Sequence, residues 1–400
     1  MYDILRGVRV VEVCSWLFVP SAAAVLADWG AEVIKVEHPA SPDPIRGLVN
    51  AETAAAVMNP NVELPNRGKR SVGLDISSPG GREILDRLVD SADVFCTNFL
   101  PSTRKRLGID VADIQGRNPR VVYALGSGQG SLGAEVERGG FDLASAWARA
   151  GAAFQMTPGG GEPPNQPGSL GDLTGGLALA GAVAAALYRR ERDGHASVVE
   201  VSLYAVGIWW MAQAITAGNV GVSREFRTRR NPFNALVNYF PTKDGRWVCL
   251  VYLQADRWWP DLCRRLGRPD LVDDARFSTA AERDQNVEEC TRVLDEIFLS
   301  RTFAEWRDAL ADAEGVWAPV LSPAEVAEDP QALVNGYLPD VDLGDGQVYR
   351  GVAAPVRFDE RPVGTLCGAP EHGQDTETVL LELGYTWDDI VALKENGTVI

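Results

Sequence analysis

One aspartate stands between two glycine clusters, in Gly168-Ser169-Leu170-Gly171-Asp172-Leu173-Thr174-Gly175-Gly176, directly before a run of apolar and small residues reaching Tyr188. A carboxylate at the mouth of an apolar helix has two uses. It accepts a backbone N–H and caps the helix, or it attacks an electrophile held above it. Capping needs one oxygen and no glycine, and each glycine in a helix interior costs about 1 kcal/mol relative to alanine. Gly171, Gly175 and Gly176 therefore point to something that must approach the carboxylate closely. The helix N-terminus would keep Asp172 ionised and competent to attack a carbonyl. A second carboxylate, Asp142 in Arg138-Gly139-Gly140-Phe141-Asp142-Leu143, also stands at a helix start. N-capping accounts for it, and it is the second candidate, for orienting groups near the site.

Two basic clusters could hold an anion. Asn98-Phe99-Leu100-Pro101-Ser102-Thr103-Arg104-Lys105-Arg106 places three cations just beyond a predicted strand, and Asn66-Arg67-Gly68-Lys69-Arg70 leads into another. Either alone reads first as a solvated face. Together, in an acidic chain, they suit a ligand with several phosphates.

A dinucleotide is the first such ligand to test. Glu37 ends the second predicted strand, where a ribose-binding acid would stand. The first turn, Cys14-Ser15-Trp16-Leu17-Phe18-Val19-Pro20, has no glycine, and its bulky side chains would hold a pyrophosphate off the backbone. The one glycine-rich match, Gly128-Gln129-Gly130-Ser131-Leu132-Gly133, runs into Ala134-Glu135-Val136-Glu137-Arg138 rather than an apolar helix, and reads as a flexible loop. Nicotinamide and flavin binding by this route are rejected.

The bulk composition narrows the rest. A formal charge of −17 argues against nucleic acid as the main partner. The six cysteines are scattered, with no CxxC pair, and only three histidines (His38, His195, His372) occur, so free thiols in a reducing cytoplasm and no metal site are expected. No export signal is visible. The apolar run from Leu173 to Tyr188 is short for a membrane span and reads as a core helix. Trp209 and Trp210, on a predicted helix, read as core.

The elements that must position these residues alternate. Gly7–Val13 and Ala31–Glu37 read as strands around a Pro20–Trp29 helix. Ser71–Ile76 and Ala92–Cys96 read as strands around a Pro79–Ser91 helix. Ile109–Arg117 follows as a short helix and Val121–Leu125 as a strand. This predicts an α/β fold, a large doubly wound Rossmann-like domain. Residues 157–171 form a Gly/Pro loop, Ala196–Leu203 another strand, Tyr204–Ala217 a helix, and Arg224–Arg230 a basic connector. From Tyr239 to Val248 the pattern is a hairpin with an Asp244-Gly245 turn. The predicted organisation is a large domain over 1–220, a smaller α+β domain with its connector over 221–327, and a return to the large domain over 328–400, where Thr376–Leu393 is an amphipathic helix.

In this order the motifs are familiar. Leu5-Arg6-Gly7-Val8-Arg9-Val10-Val11-Glu12, Leu26-Ala27-Asp28-Trp29-Gly30-Ala31-Glu32-Val33-Ile34-Lys35-Val36-Glu37, Asn66-Arg67-Gly68-Lys69-Arg70-Ser71-Val72, Ala92-Asp93-Val94 with Asn98-Phe99, Gly171-Asp172 and Leu381-Glu382-Leu383-Gly384-Tyr385 span almost the whole chain. The chain resembles the family III CoA-transferases, the CaiB/BaiF group that includes formyl-CoA transferase and α-methylacyl-CoA racemase. The resemblance implies an interlaced homodimer and acyl-CoA and small carboxylic acids as substrates, with coenzyme A and no metal as cofactor. Asp172 would be the nucleophile. CoA contacts would fall on Ser15, Trp16, Leu17, His38, Asn98, Phe99, Arg106, Gly171 and the cluster Arg67, Lys69 and Arg70.

Three departures stand out. Phe141 replaces the histidine that the racemase branch uses as an acid/base group. No glycine-rich lid is evident between Arg224 and Asn238. The Cys14–Phe18 turn lacks the His and Gln of formyl-CoA transferase. The expected activity is therefore acyl-CoA:carboxylate CoA transfer through an aspartyl-CoA thioester, with racemisation or non-catalytic CoA binding as the alternatives.

Overall fold

The computed structural model describes residues 2–48, 58–158, 161–222, 227–344 and 346–400. Gly159 and Gly160 of the Gly/Pro loop, and Arg224 to Phe226 of the basic connector and of the segment searched for a lid, lie outside the described residues. Met1–Gln155, Pro164–Val222 and Pro330–Ile400 form one compact unit; Met156–Pro163 and Ser223–Asp329 form the other.

In the large unit six parallel strands, β1 (Arg9–Val13), β2 (Glu32–Glu37), β3 (Arg70–Gly73), β4 (Val94–Thr97), β5 (Val122–Ser127) and β6 (Val198–Ser202), lie in the order β3-β2-β1-β4-β5-β6. Alternation along β1 divides the core. Val10 packs with the Phe18–Asp28 and Leu170–Asp193 helices on one face; Val11 and Val13 pack with Ile84, Leu88 and Ile114 on the other. Helices on both faces of a parallel sheet, with the strand order reversing between β1 and β4, define the doubly wound fold.

The 24-residue helix Leu170–Asp193 starts three residues earlier than its apolar run and extends to Asp193, where Gly194 at φ 74° ends it. By length and composition it could cross a membrane, but Leu179, Ala180 and Val183 are buried in the core around the Phe18–Asp28 helix. The Tyr204–Ala217 segment is two helices, Leu203–Trp210 and Ala212–Asn219. The C-terminal segment is likewise two helices, Thr376–Glu382 and Trp387–Glu395, separated at Gly384 with φ 87°. They cover the outer edge of the sheet: Ser71 N donates to Asp375 Oδ2 at 2.8 Å and Gly73 N to Thr376 Oγ1 at 3.0 Å, which satisfies edge donors of β3.

The smaller unit carries an antiparallel sheet, β7 (Val237–Pro241), β8 (Trp247–Val251) and β9 (Val316–Pro319), with the β7–β8 hairpin turning at Gly245 in the left-handed region. Trp259, Phe298 and Trp306 anchor its core.

Candidate active site

A doubly wound sheet opens a crevice beyond the carboxyl ends of the two strands where its order reverses. Here those ends are the Cys14–Leu17 turn after β1 and the Asn98–Leu100 segment after β4, and Asn98 staples them together. Its Oδ1 accepts from Ser15 N at 3.1 Å and its Nδ2 donates to Ser15 O at 2.6 Å. The Asn98 amide is thus committed to the backbone, and it shapes the crevice rather than offering free groups to a ligand.

Two adjoining cavities open there, sharing Ser15, Pro44, Phe99 and Thr103. The first, about 490 Å³, reaches Trp16, Phe141 and Asp172; the second, about 380 Å³, reaches His38, Asp75 and Arg106. Among the predicted residues, Ser15, Trp16, His38, Asn98, Phe99, Arg106 and Asp172 therefore converge on one cleft. Leu17, Arg67, Lys69, Arg70, Asp142 and Gly171 line neither cavity.

The Arg67–Arg70 cluster is corrected by its partners. Arg67 makes a two-pronged pair with Asp28 (2.7 and 3.0 Å), and Arg70 bridges Glu32 and Glu382. Lys69 Nζ is wholly buried against Glu12, Pro20 O at 3.0 Å and Asn66 Oδ1. Arg67 and Lys69, desolvated and paired, have no capacity left for a phosphate, and Arg70, partly exposed, holds two carboxylates away from both cavities. Leu17 is buried beside the core rather than facing the cleft. Of the second cluster, Arg104 is spent on Asp110 (3.0 Å) and Phe99 O (2.8 Å), while Lys105 and Arg106 are exposed and form no ion pair with a described residue.

Behind the cleft lies a charge network that the sequence reading did not identify. Glu12, Lys35 and Lys69 are wholly buried; Lys35 Nζ donates to Glu12 Oε1 and to Asp43 Oδ2, both at 2.9 Å. Burial alone would raise the Glu12 carboxyl, but Lys35 and Lys69 outweigh it and hold the group below its ordinary range. Glu37 is depressed to about 2: burial opposes its charge, and the Arg46 guanidinium and Lys35 overcome that. With Arg46 and Ser71 Oγ on its oxygens, Glu37 is occupied structurally. The visible signal was a run of charged residues, Glu12, Lys35 and Glu37, at alternating or central strand positions where a doubly covered sheet should be apolar.

The glycine pattern around Asp172 has a different cause from the one its spacing suggested. A Cβ on Gly175 would lie 2.6 Å from Phe18 Cε2, and one on Gly176 would lie 2.8 Å from Ser21 Cβ. These glycines admit the Phe18–Asp28 helix, not a ligand. A Cβ on Gly171 would lie 2.6 Å from Asp142 Cβ, so that glycine admits Asp142.

Asp172 is not the cap. Ser169 occupies that position, at φ 50°, and Asp172 is in the first turn, with no described residue donating a hydrogen bond to its carboxylate. Nor is it simply ionised: burial, and then the charge of Asp142, push its carboxyl up to about 7, against the helix N-terminus. Asp142 Oδ1 accepts from Leu143 N at 2.7 Å, which is its capping role, and its buried Oδ2 has no hydrogen-bond partner. Trp210 packs against the core, but Trp209 is 78% exposed, so only one of the pair is core.

A partly buried carboxyl without a described hydrogen-bond donor thus lines a cleft at the switch point of a doubly wound α/β sheet, the place where such folds bind their ligands. The model of CoA-transferase family III matches residues 5–376, and the chain belongs to that family of CoA-transferases. It is 32% identical over 398 residues to (R)-2-hydroxy-4-methylpentanoate CoA-transferase of Clostridioides difficile, covering 99% of each chain. It is 30% identical to cinnamoyl-CoA:phenyllactate CoA-transferase of Clostridium sporogenes, covering 100% of this chain and 98% of the relative. A CaiB/BaiF family protein from Brucella suis superposes with a TM-score of 0.82 at 25% identity, over 96% of this chain and 100% of that one.

Proposed function

We propose that this chain is an acyl-CoA:carboxylate CoA-transferase in which Asp172 carries the CoA as a thioester. The observation that carries this reading is a cleft-lining carboxyl left without a hydrogen-bond donor among the described residues, which has no structural employment. Its anion attacks the donor thioester carbonyl; the C–S bond breaks, giving a mixed anhydride and CoA thiolate. The thiolate attacks the aspartyl carbonyl and expels the donor's carboxylate, leaving CoA on Asp172. An acceptor carboxylate attacks that thioester and regenerates an anhydride and the thiolate. Attack of the thiolate on the acceptor carbonyl then frees the new acyl-CoA and restores Asp172. The anhydrides are transient and higher in energy, but the net exchange trades one thioester for another of similar energy, so the reaction needs no ATP.

In this reading the free N–H groups in the first turn of the Asp172 helix would receive the developing oxyanion. Arg106 and His38 at the second cavity face the phosphate and nucleotide end of CoA, with Ser15 and Phe99 along the pantetheine between. We also take the active form to be a homodimer, consistent with large exposed apolar side chains on the large unit such as Phe154 and Trp209. Light scattering would read its mass directly.

Intact-mass analysis after mixing with acyl-CoAs, followed by hydroxylamine, should place a mass change on the Asp172 peptide, and Asp172→Ala should abolish both the change and transfer. A carboxyl near 7 also suits proton transfer, which keeps α-methylacyl-CoA epimerisation as the second reading. Deuterium exchange at the α-carbon without an acceptor acid would establish epimerisation and overturn transfer.

A further inference from the structure

Trp16 accepts backbone strain while leaving much of its ring open to the cavity. Its φ is 69°, in the left-handed region that disfavours a bulky residue, yet the ring stays 37% exposed on the wall of the Asp172 cavity. The buried charge network holds it there: Asp43, fixed by Lys35, accepts from Trp16 N at 2.8 Å. Phe141, 58% exposed, meets the Trp16 ring edge to face with centroids 5.4 Å apart at 90°. The pair rises beside Phe18, whose ring is wedged between Gly126 and Gly175. Gly175 follows Asp172 by three positions and shares its helix face.

Trp16, Phe18 and Phe141 make this part of the cavity largely apolar, and among the described residues no unpaired cation lines it. Of the two arginines on the wall, Arg104 is held by Asp110 and Phe99 O, and Arg138, largely exposed, pairs with Glu135 at 2.6 Å. Burial and Asp142 act on the Asp172 carboxyl with no cation to offset them. A second carboxylate on a short acyl chain would be buried here unpaired, beside two aspartates, whereas an aromatic or branched aliphatic body would cover the exposed rings.

Resting on the transferase reading above, we propose that Trp16 and Phe141 form the wall against which the acyl group lies. The acids exchanged are then monocarboxylic, with aromatic or branched aliphatic bodies, and not short dicarboxylic acids. The experiment compares cinnamoyl-CoA, 4-methylpentanoyl-CoA and succinyl-CoA as donors, reading both labelling of Asp172 and kcat/KM. The expected result is a preference for the two apolar donors of about 100-fold or more over succinyl-CoA. Phe141→Ala should cut kcat/KM for cinnamoyl-CoA about 10- to 100-fold and that for succinyl-CoA by at least about 5-fold less. Phe141→Arg, which supplies the missing cation on an exposed side chain, should narrow or reverse the preference. Labelling of Asp172 chiefly by succinyl-CoA, or an equal loss for every donor in Phe141→Ala with no shift in Phe141→Arg, overturns the acyl assignment and leaves the transferase reading standing. Labelling by no donor removes both.

Discussion

Gly171 seats the helix of Asp172 directly against Asp142: a methyl group on Gly171 would lie 2.6 Å from Asp142 Cβ, and only hydrogen fits there. Burial first, and then the charge of Asp142, push the Asp172 carboxyl up to about 7. Attack requires the anion. The kcat/KM profile should therefore climb with pH through a limb near 7, and Asp142→Asn should move that limb to lower pH. An unmoved limb would show that Asp142 does not tune the nucleophile. The sign for stability is opposite. Folding favours the protonated Asp172, so stability is full below about 3.8, falls as pH rises, and bears the whole cost above about 7. Asp172→Asn should gain on the order of 1–2 kcal/mol at pH 8, once screening at a partly open site is allowed for, and nothing at pH 3.5. Urea unfolding at the two pH values measures it.

The same helix tests what its glycines do. Alanine at Gly175 or Gly176 would place a methyl group 2.6 Å from the Phe18 ring or 2.8 Å from Ser21 Cβ, and the helix–helix contact must open to admit it. Each should cost about 1–3 kcal/mol despite alanine's better helix propensity. Gly181, in the same helix with nothing within 4 Å of an added Cβ, is the control, and Gly181→Ala should instead gain roughly 0.5–1 kcal/mol. Equal effects at all three positions would remove the packing explanation.

The strand and helix alternation, and with it the doubly wound sheet, was legible because its periods of 2 and 3.6 are local properties. So was Asp172 as the residue to examine, but for a reason the structure revises: glycine reads identically in sequence whether a ligand or a neighbouring helix comes close. Sequence could not reveal that Arg67 and Lys69 meet Asp28 and Glu12, 39 and 57 residues away, and so have no charge left for a ligand. Nor could it reveal that Asn98 closes on the Ser15 backbone. Pairings of that kind are set by the sheet order, which local pattern does not encode. The Leu383-Gly384 and Met211 breaks, which divide two predicted helices, were hidden by apolar periodicity continuing across them.

Trp16 separates stability from function. Glycine relieves a left-handed backbone that alanine does not, so Trp16→Gly should be more stable than Trp16→Ala by about 1 kcal/mol. Both lose the ring, and both should lose transfer to a similar extent. Matched activities with separated thermal midpoints are expected; equal midpoints would mean that the backbone at this turn relaxes without the side chain.

Lys35 links that turn to the interior. It is wholly buried, with Glu12 and Asp43 each 2.9 Å from its ammonium, and Asp43 in turn holds the backbone of Trp16. Lys35→Met removes the shared cation and leaves Asp43 without an ionic partner, at a cost of about 3–5 kcal/mol. The damage should be less when a charge it strands is removed as well. In Lys35→Met/Asp43→Asn the stranded carboxylate is gone while Glu12 keeps its pair with Lys69, and Asp43→Asn should lessen the penalty of Lys35→Met rather than add to it, by at least about 1 kcal/mol. Denaturant unfolding of the two single variants and the double variant closes this cycle. Simple additivity would show that Lys35 and Asp43 act independently, and that the buried network does not hold the strained turn at Trp16 through that pair.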